Sequence, residues 1–383
     1  MSDPAANELL TRARALVPKL IERGAHTSAE RRVPDETIVD FEAAGFFRVL
    51  QPKRYGGLQM EFAVFAKIVR ELAQGCGSSA WVYAVMAEHG WMFSLFPKEG
   101  QDEIWSGNPH ARGCAAVDPS GNAEKVDGGY RLTGQWRFVS GSDHAHWAFL
   151  TVPANEGEDF IVVRQLLVRR SELKALDDWH VMGLIGTGSR TLVADNLFVP
   201  DRRAITQEQM MLGTAPGRDV HPDYTLIRTP RRYLTPFSLS PVLIGLANRA
   251  LAMVMDGTRK KIAGGVLPPD FDTLQLRIAE TAADLDAANT LFDAHLAQAM
   301  ARVASGQAIG EREIARSRMA GAYLARLAHD ATARLCRATG SGWIFNLNPL
   351  QEIFRDVTSG ATHRAMNFEM LGKSYVRALG IGA

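Results

Sequence analysis

The segment YRLTGQWRFVSGSDHAHW, residues Tyr130–Trp147, departs from everything that precedes it in the chain. Its first ten residues are β-branched or aromatic at most non-polar positions and run into a Ser-Gly-Ser turn, the composition of a strand on a half-buried pleated surface. HWAFLTV, FIVVRQLLV and TLVADNLFV follow in the same style, divided by Gly, Asp and Asn turns. These segments predict a small β domain over residues 111–205.

Upstream, apolar residues recur at helical spacing, as at Phe62, Phe65, Ile68, Val69 and Leu72, with Pro34, Gly56-Gly57 and Pro97 as punctuation. Residues 1–110 therefore read as an N-terminal helical domain. Downstream, after a loop rich in Pro, Gly and Arg over 201–236, helical periodicity returns. One stripe runs through Ile278, Leu285, Phe292, Leu296, Ala299 and Val303 and is followed by an Ala-rich, Arg-rich run. Alanine lets neighbouring helix backbones approach closely, so residues 206–383 read as a C-terminal four-helix bundle. The predicted fold class is mainly α with a central β-barrel or β-sandwich domain.

Charge is balanced, with 43 Lys and Arg against 42 Asp and Glu, so no field steers the chain towards nucleic acid or an anionic membrane. The most apolar helical run, residues 241–255, is interrupted by Asn248 and Arg249, and the N-terminus has no apolar signal core. Cys76, Cys114 and Cys336 are far apart and odd in number, which suits a reducing cytoplasm and no disulfide framework.

Two glycine patterns invite a nucleotide reading and fail on context. GCGSSA, residues Gly75–Ala80, has helical patterns on both sides, and GLIGTGS, residues Gly183–Ser189, opens no helix. His144 and His146 alternate as on one face of a strand, but no third metal ligand lies at a suitable spacing, so no metal is predicted. His89 and His363, read alone, are as compatible with satisfied structural histidines as with catalysts.

Five phrases in order, LQPKRYGGLQ (Leu50–Gln59), GSSAWVYAVMAEH (Gly77–His89), GQWRFVSGSDHAHW (Gly134–Trp147), DDWHVMGLIGTGSRTLVADNLFVP (Asp177–Pro200) and NPLQEIFRDVTSGATH (Asn348–His363), resemble the oxygenase components of two-component flavin-dependent monooxygenases. These have the acyl-CoA dehydrogenase fold, and the group includes hydroxylases of hydroxyphenylacetate and of secosteroid phenols and, more distantly, dibenzothiophene monooxygenase. The resemblance implies a homotetramer that takes reduced FMN or FAD from a separate NAD(P)H-dependent flavin reductase. It then captures dioxygen as a flavin C4a-hydroperoxide and hydroxylates a small aromatic or heteroaromatic substrate.

By the same resemblance Ser140 bonds flavin N5, Phe138 and Gly141 lie along the ring, and Arg259 contacts the flavin phosphate from across a subunit boundary. His89, eight residues after Trp81, pairs with the substrate hydroxyl, and His363 lies near the flavin C4a. Cys114 and Ala115 stand with Trp81 at the substrate pocket, in a stretch GCAAVDP where phenol-hydroxylating relatives are rich in serine. That departure implies a more apolar pocket, because a buried substrate hydroxyl needs a partner.

Two other readings differ in what they require. An acyl-CoA dehydrogenase or nitroalkane-type flavin oxidase needs a carboxylate base, often about eight residues after the Arg-Asp pair, where this chain has His363 and Arg364. A non-catalytic ligand-binding relative would keep the fold and consume no oxygen.

Overall fold

The computed structural model describes residues 4–157, 160–268 and 270–381. The first layer holds α1 (Pro4–Ala29), α2 (Asp35–Ala43), α3 (Phe62–Ala73), α4 (Gly77–Phe93) and α5 (Lys98–Trp105). Helix α3 is amphipathic in the way its spacing predicts, with Phe62, Phe65, Ile68, Val69 and Leu72 all buried. Helix α4 has no polar face. Sixteen of its 17 residues are buried, so it threads the protein as a spine rather than lying on its surface.

The β domain comprises β1 (Gly113–Ala116), β2 (Asn122–Val126), β3 (Gly129–Val139), β4 (Trp147–Asn155), β5 (Ile161–Arg169), β6 (Lys174–Ala175), β7 (Arg190–Pro200) and β8 (Ala204–Thr206). They form one mixed sheet in the order β6-β7-β3-β2-β4-β5-β8, with β1 parallel to β4. β5 and β7, which are not neighbours in the sheet, also touch, so the sheet curls over its own core. Alternation along β4 separates two interiors. Ala148, Leu150, Val152 and Ala154 enter the sheet core, and Trp147 and Phe149 enter the helical core.

The chain then forms α6 (Gln207–Leu212), α7 (Gly217–Val220), α8 (Arg231–Leu234), α9 (Pro236–Ala263), α10 (Phe271–Ser305), α11 (Glu311–Ala338), α12 (Pro349–Ala361) and α13 (Phe368–Ala378). α9, α10, α11 and α12 pack as a bundle, and α9 also packs against α3 and α4. Leu285, Phe292, Leu296, Ala299 and Val303 of the predicted stripe are buried on α10, and Ala320, Ala325, Ala328 and Ala331 line the inner face of α11. The helical stretch Arg231–Ala263 is long and apolar enough to cross a membrane, but 72% of its most apolar window is buried inside the protein.

Two local expectations change. The segment 201–236 is not a plain loop. It contains β8 and three short helices, of which α6 starts with a capping box between Thr206 and Gln209. His144 and His146 are not on a strand. They occupy the turn between β3 and β4, where His144 Nε2 meets the Val33 carbonyl at 2.8 Å and His146 Nδ1 accepts from the Arg112 N–H at 3.0 Å. Among the described residues no cluster of His, Cys, Asp and Glu could hold a metal.

The loop Gly183–Ser189, between β6 and β7, is held by the helical bundle. Asp356 on α12 accepts the Leu184 N–H at 2.5 Å, and Leu184 has a left-handed backbone, φ 52°. A Cβ on Gly183 would lie 2.2 Å from the Arg355 carbonyl oxygen, so only glycine lets loop and helix approach this closely. Burial pushes the Asp356 carboxyl up to about 7, with Glu352 adding to the rise and the Leu184 N–H and two arginines opposing it.

A folded-state value above the ordinary carboxyl range means that between about pH 4 and 7 the native protein holds a proton that the unfolded chain has lost. Native stability therefore falls as pH rises through this window. Asp356→Asn, which keeps an acceptor for the Leu184 N–H, is expected to gain stability relative to the parent between pH 4 and 7 and to level off above it. The gain is at most about 4 kcal/mol. Urea denaturation of both proteins at pH 4.5, 6 and 8 measures it, and a pH-independent difference would refute the assignment.

Candidate active site

Helix α4 carries Trp81 and His89 about 12 Å apart along its axis. His89 is buried, and its Nδ1 is 2.7 Å from the Gly113 carbonyl oxygen at the start of β1. A carbonyl only accepts, so Nδ1 carries the proton and Nε2 of the neutral ring is left as an acceptor. Burial lowers the His89 pKa to about 3, with the Gly113 bond opposing and Arg231 assisting. His89 is therefore a neutral, oriented hydrogen-bond acceptor at any physiological pH.

His363 follows α12 and has the opposite polarity. Its Nδ1 accepts the Ala365 N–H at 3.2 Å, which leaves the proton on Nε2 and makes that atom a donor. Its ring stands edge-on to Trp81, with centroids 5.7 Å apart. Part of the ring reaches solvent, yet the dense protein around it lowers its pKa, opposed by Asp118 and reinforced by Arg231.

The stretch Phe138–Gly141 closes β3 with a register shift against β7 between Trp136 and Val139. Phe138 has φ 60° and Gly141 φ 70°, the local twist that turns the chain towards α4. A Cβ on Gly141 would meet Val82 and Met86 of that helix at 3.3 and 3.4 Å. The Phe138 ring is 66% exposed and stands edge-on to Trp179, whose Nε1–H donates to the Ile185 carbonyl at 3.1 Å. Ser140 Oγ lies 2.7 Å from Ser189 Oγ, and Ser189 Oγ lies 2.7 Å from Thr187 Oγ1.

An exposed aromatic face beside a hydroxyl, on a strand end held against α4, fits the flat edge of a flavin ring. Phe138 offers the apolar surface, and Ser140 the polar contact.

The remaining predicted residues divide. Ala115 packs towards the helical core, whereas Cys114 points the other way into the sheet core, fully buried, with its thiol 3.6 Å from the Trp147 carbonyl oxygen. The strand alternation thus leaves Ala115 facing α4 and removes Cys114 from the pocket wall. Arg259 is exposed near the end of α9 and pairs with Asp256 at 2.8 Å. No contact among the described residues joins it to Ser140.

Sequence reasoning missed three contributors. Arg231 on α8 pairs with Glu88 on α4 at 2.9 Å, both buried, beside the two histidines. Its only sequence signal is Arg231-Arg232 after a proline, which says nothing of a partner far upstream. Thr187 and Ser189 were visible only as the polar letters of a glycine-rich loop. The position where a dehydrogenase needs a carboxylate is occupied by His363 and by Arg364, which pairs at the surface with Asp118 at 3.0 Å.

Comparison with known proteins agrees with this architecture. The family described as Acyl-CoA dehydrogenase, N-terminal domain, matches residues 3–107, and that described as Acyl-CoA dehydrogenase, C-terminal domain, matches residues 237–368. The chain is 33% identical to the flavin-dependent monooxygenase, oxygenase subunit HsaA, of Mycobacterium tuberculosis H37Rv, over 94% of this chain and 92% of that one. It is 34% identical to the oxygenase component of the FADH(2)-dependent resorcinol hydroxylase of Rhizobium sp. MTP-10005, covering 90% and 87% of the two chains. The crystal structure of 3-HSA hydroxylase from Rhodococcus sp. RHA1 superposes with a TM-score of 0.93 at 30% identity, over 98% and 97% of the chains. The chain accordingly belongs to the oxygenase components of flavin-dependent monooxygenases built on the acyl-CoA dehydrogenase fold.

Proposed function

We propose that this oxygenase hydroxylates a small aromatic or heteroaromatic substrate that carries an acidic O–H or N–H on the ring. The observation that supports this reading most directly is the fixed tautomer of His89, whose Nε2 is a buried acceptor at the end of an apolar helix. Reduced FMN or FAD, delivered by a separate flavin reductase, supplies when bound the two electrons and the carbon at which dioxygen is captured.

The chain's own residues do the rest. Ser140 bonds the flavin N5 position, Phe138 and Gly141 bound the ring, and Trp81 and Ala115 keep water from the reacting face. His89 Nε2 accepts the hydrogen bond of the substrate O–H or N–H, which polarises that bond and raises electron density on the ring carbon to be oxygenated. His363 presents Nε2–H as a donor towards the oxygen side of the cleft. Arg259, exposed as it is in one subunit, suits a phosphate contact made only in an assembly. A homotetramer is supported further by the exposed apolar side chains Ile344, Phe345 and Leu347 before α12. Three buried free cysteines accord with a cytoplasmic setting.

When reduced flavin is mixed with aerated buffer and substrate, the protein should slow the return of oxidised-flavin absorbance and yield hydroxylated product. Identical traces with and without protein would overturn the proposal. Ser140→Ala should raise hydrogen peroxide released per flavin and lower product about tenfold. His89→Ala should leave flavin reoxidation intact and reduce product formation by about 100-fold.

The pH dependence has a definite sign. An ordinary histidine loses its acceptor as pH falls through 6.5, but His89, held near 3, keeps it. Binding of a phenolic substrate is therefore expected to change little between pH 7.5 and 5.5. A loss of affinity centred near 6.5 that His89→Gln abolishes would show that the ring titrates normally.

A further inference from the structure

Thr187, Ser189 and Ser140 form a line of three hydroxyls whose direction is determined by counting protons. Thr187 Oγ1 lies 2.8 Å from the Leu184 carbonyl oxygen, which can only accept, so the single Thr187 hydroxyl proton is committed there. The 2.7 Å contact between Thr187 and Ser189 must then use the Ser189 proton. The 2.7 Å contact between Ser189 and Ser140 must in turn use the Ser140 proton. Every proton points inward, and Ser140 Oγ is left with lone pairs alone at the outer end.

The line is built to keep this direction. Thr187 and Ser189 are 2% and 5% exposed, so water does not compete at the inner end, whereas Ser140 is only half-buried. The Gly141 N–H donates to the Thr187 carbonyl at 3.0 Å and ties the Ser140 turn to the same loop. The Leu184 N–H is clamped by Asp356, which holds the terminal carbonyl in place.

We propose that Thr187 and Ser189 are specificity-determining residues that polarise Ser140 into an obligate hydrogen-bond acceptor and so make the site select reduced over oxidised flavin. This rests on the reading that Ser140 contacts N5. Reduced flavin carries a proton on N5 and donates to an acceptor, whereas oxidised flavin has a lone pair there and would face the Ser140 lone pairs without a bond. The selection lets the oxygenase take its cofactor from the reductase and release it after turnover, using the protonation of one nitrogen as the signal.

The test is anaerobic titration of the full-length protein with dithionite-reduced and with oxidised FMN and FAD, read as the ratio of the two dissociation constants. Thr187→Val and Ser189→Ala free the Ser140 proton to turn outward, and each should lower the preference for reduced flavin about tenfold. Thr187→Ser and Ser189→Thr keep the hydroxyls and should keep the ratio. If Ser140→Ala changes the ratio while Thr187→Val and Ser189→Ala do not, Ser140 touches N5 but its polarity is not set by the line, and the proposal falls alone. If Ser140→Ala also leaves the ratio unchanged, the N5 contact itself is wrong and both fall.

Discussion

The buried ion pair between Glu88 and Arg231 is the interaction around which the site is arranged. Glu88 sits on α4, a helix with no solvent face, and a lone carboxylate there would carry a desolvation cost of several kcal/mol. Arg231 at 2.9 Å supplies the compensating charge and thereby anchors α8, and the start of α9 behind it, against the spine of the N-terminal domain. Such a pair adds little net stability over a well-packed apolar pair, but losing either partner strands the other. Its consequence for chemistry is electrostatic: burial is the main force that keeps His89 and His363 uncharged, and the Arg231 cation beside them adds to it.

With both histidines neutral, their hydrogen bonds to the backbone decide what each can do. Gly113 is a point of close contact between β1 and α4, where a Cβ would press within 3.1 Å of Phe93, Phe149 and His89. The same contact that excludes a side chain at this position brings its carbonyl to His89 Nδ1. At His363 the chain turn after α12 offers an N–H instead, and the polarity reverses. An acceptor and a donor thus arise from one residue type, separated only by whether the neighbouring backbone group is C=O or N–H. The three hydroxyls behind Ser140 apply the same logic to a neutral side chain.

Much of this was legible in the sequence. The change from 3.6-residue to two-residue periodicity and back marks helices, sheet and helices, because burial on one face of each element imposes its own spacing. The five ordered phrases point to the flavin oxygenases, the family that the comparisons show, and make Ser140, His89 and His363 the candidates for chemistry within it. What misled was local. The strand-like alternation of His144 and His146 belongs to a turn whose histidines are held by Val33 and Arg112 backbone atoms. The resemblance places both Cys114 and Ala115 at the substrate pocket, but adjacent positions on a strand face opposite sides and β1 puts the thiol in the sheet core.

The sequence by itself determined the succession of helical region, sheet and helical bundle, the lack of a glycine motif in nucleotide-binding context and the residue types available for chemistry, since these depend on periodicity and side-chain identity within short windows. Only the tertiary structure decided that Arg231 neutralises Glu88, that Asp356 holds Leu184, which nitrogen of each histidine is free, and which way the hydroxyls from Thr187 to Ser140 point. These depend on groups 143, 172, 24, 2 and 3 positions apart in the chain. Even the short separations are read only once a backbone carbonyl or N–H has been placed in space, because a hydrogen bond is a matter of distance and direction that composition does not encode.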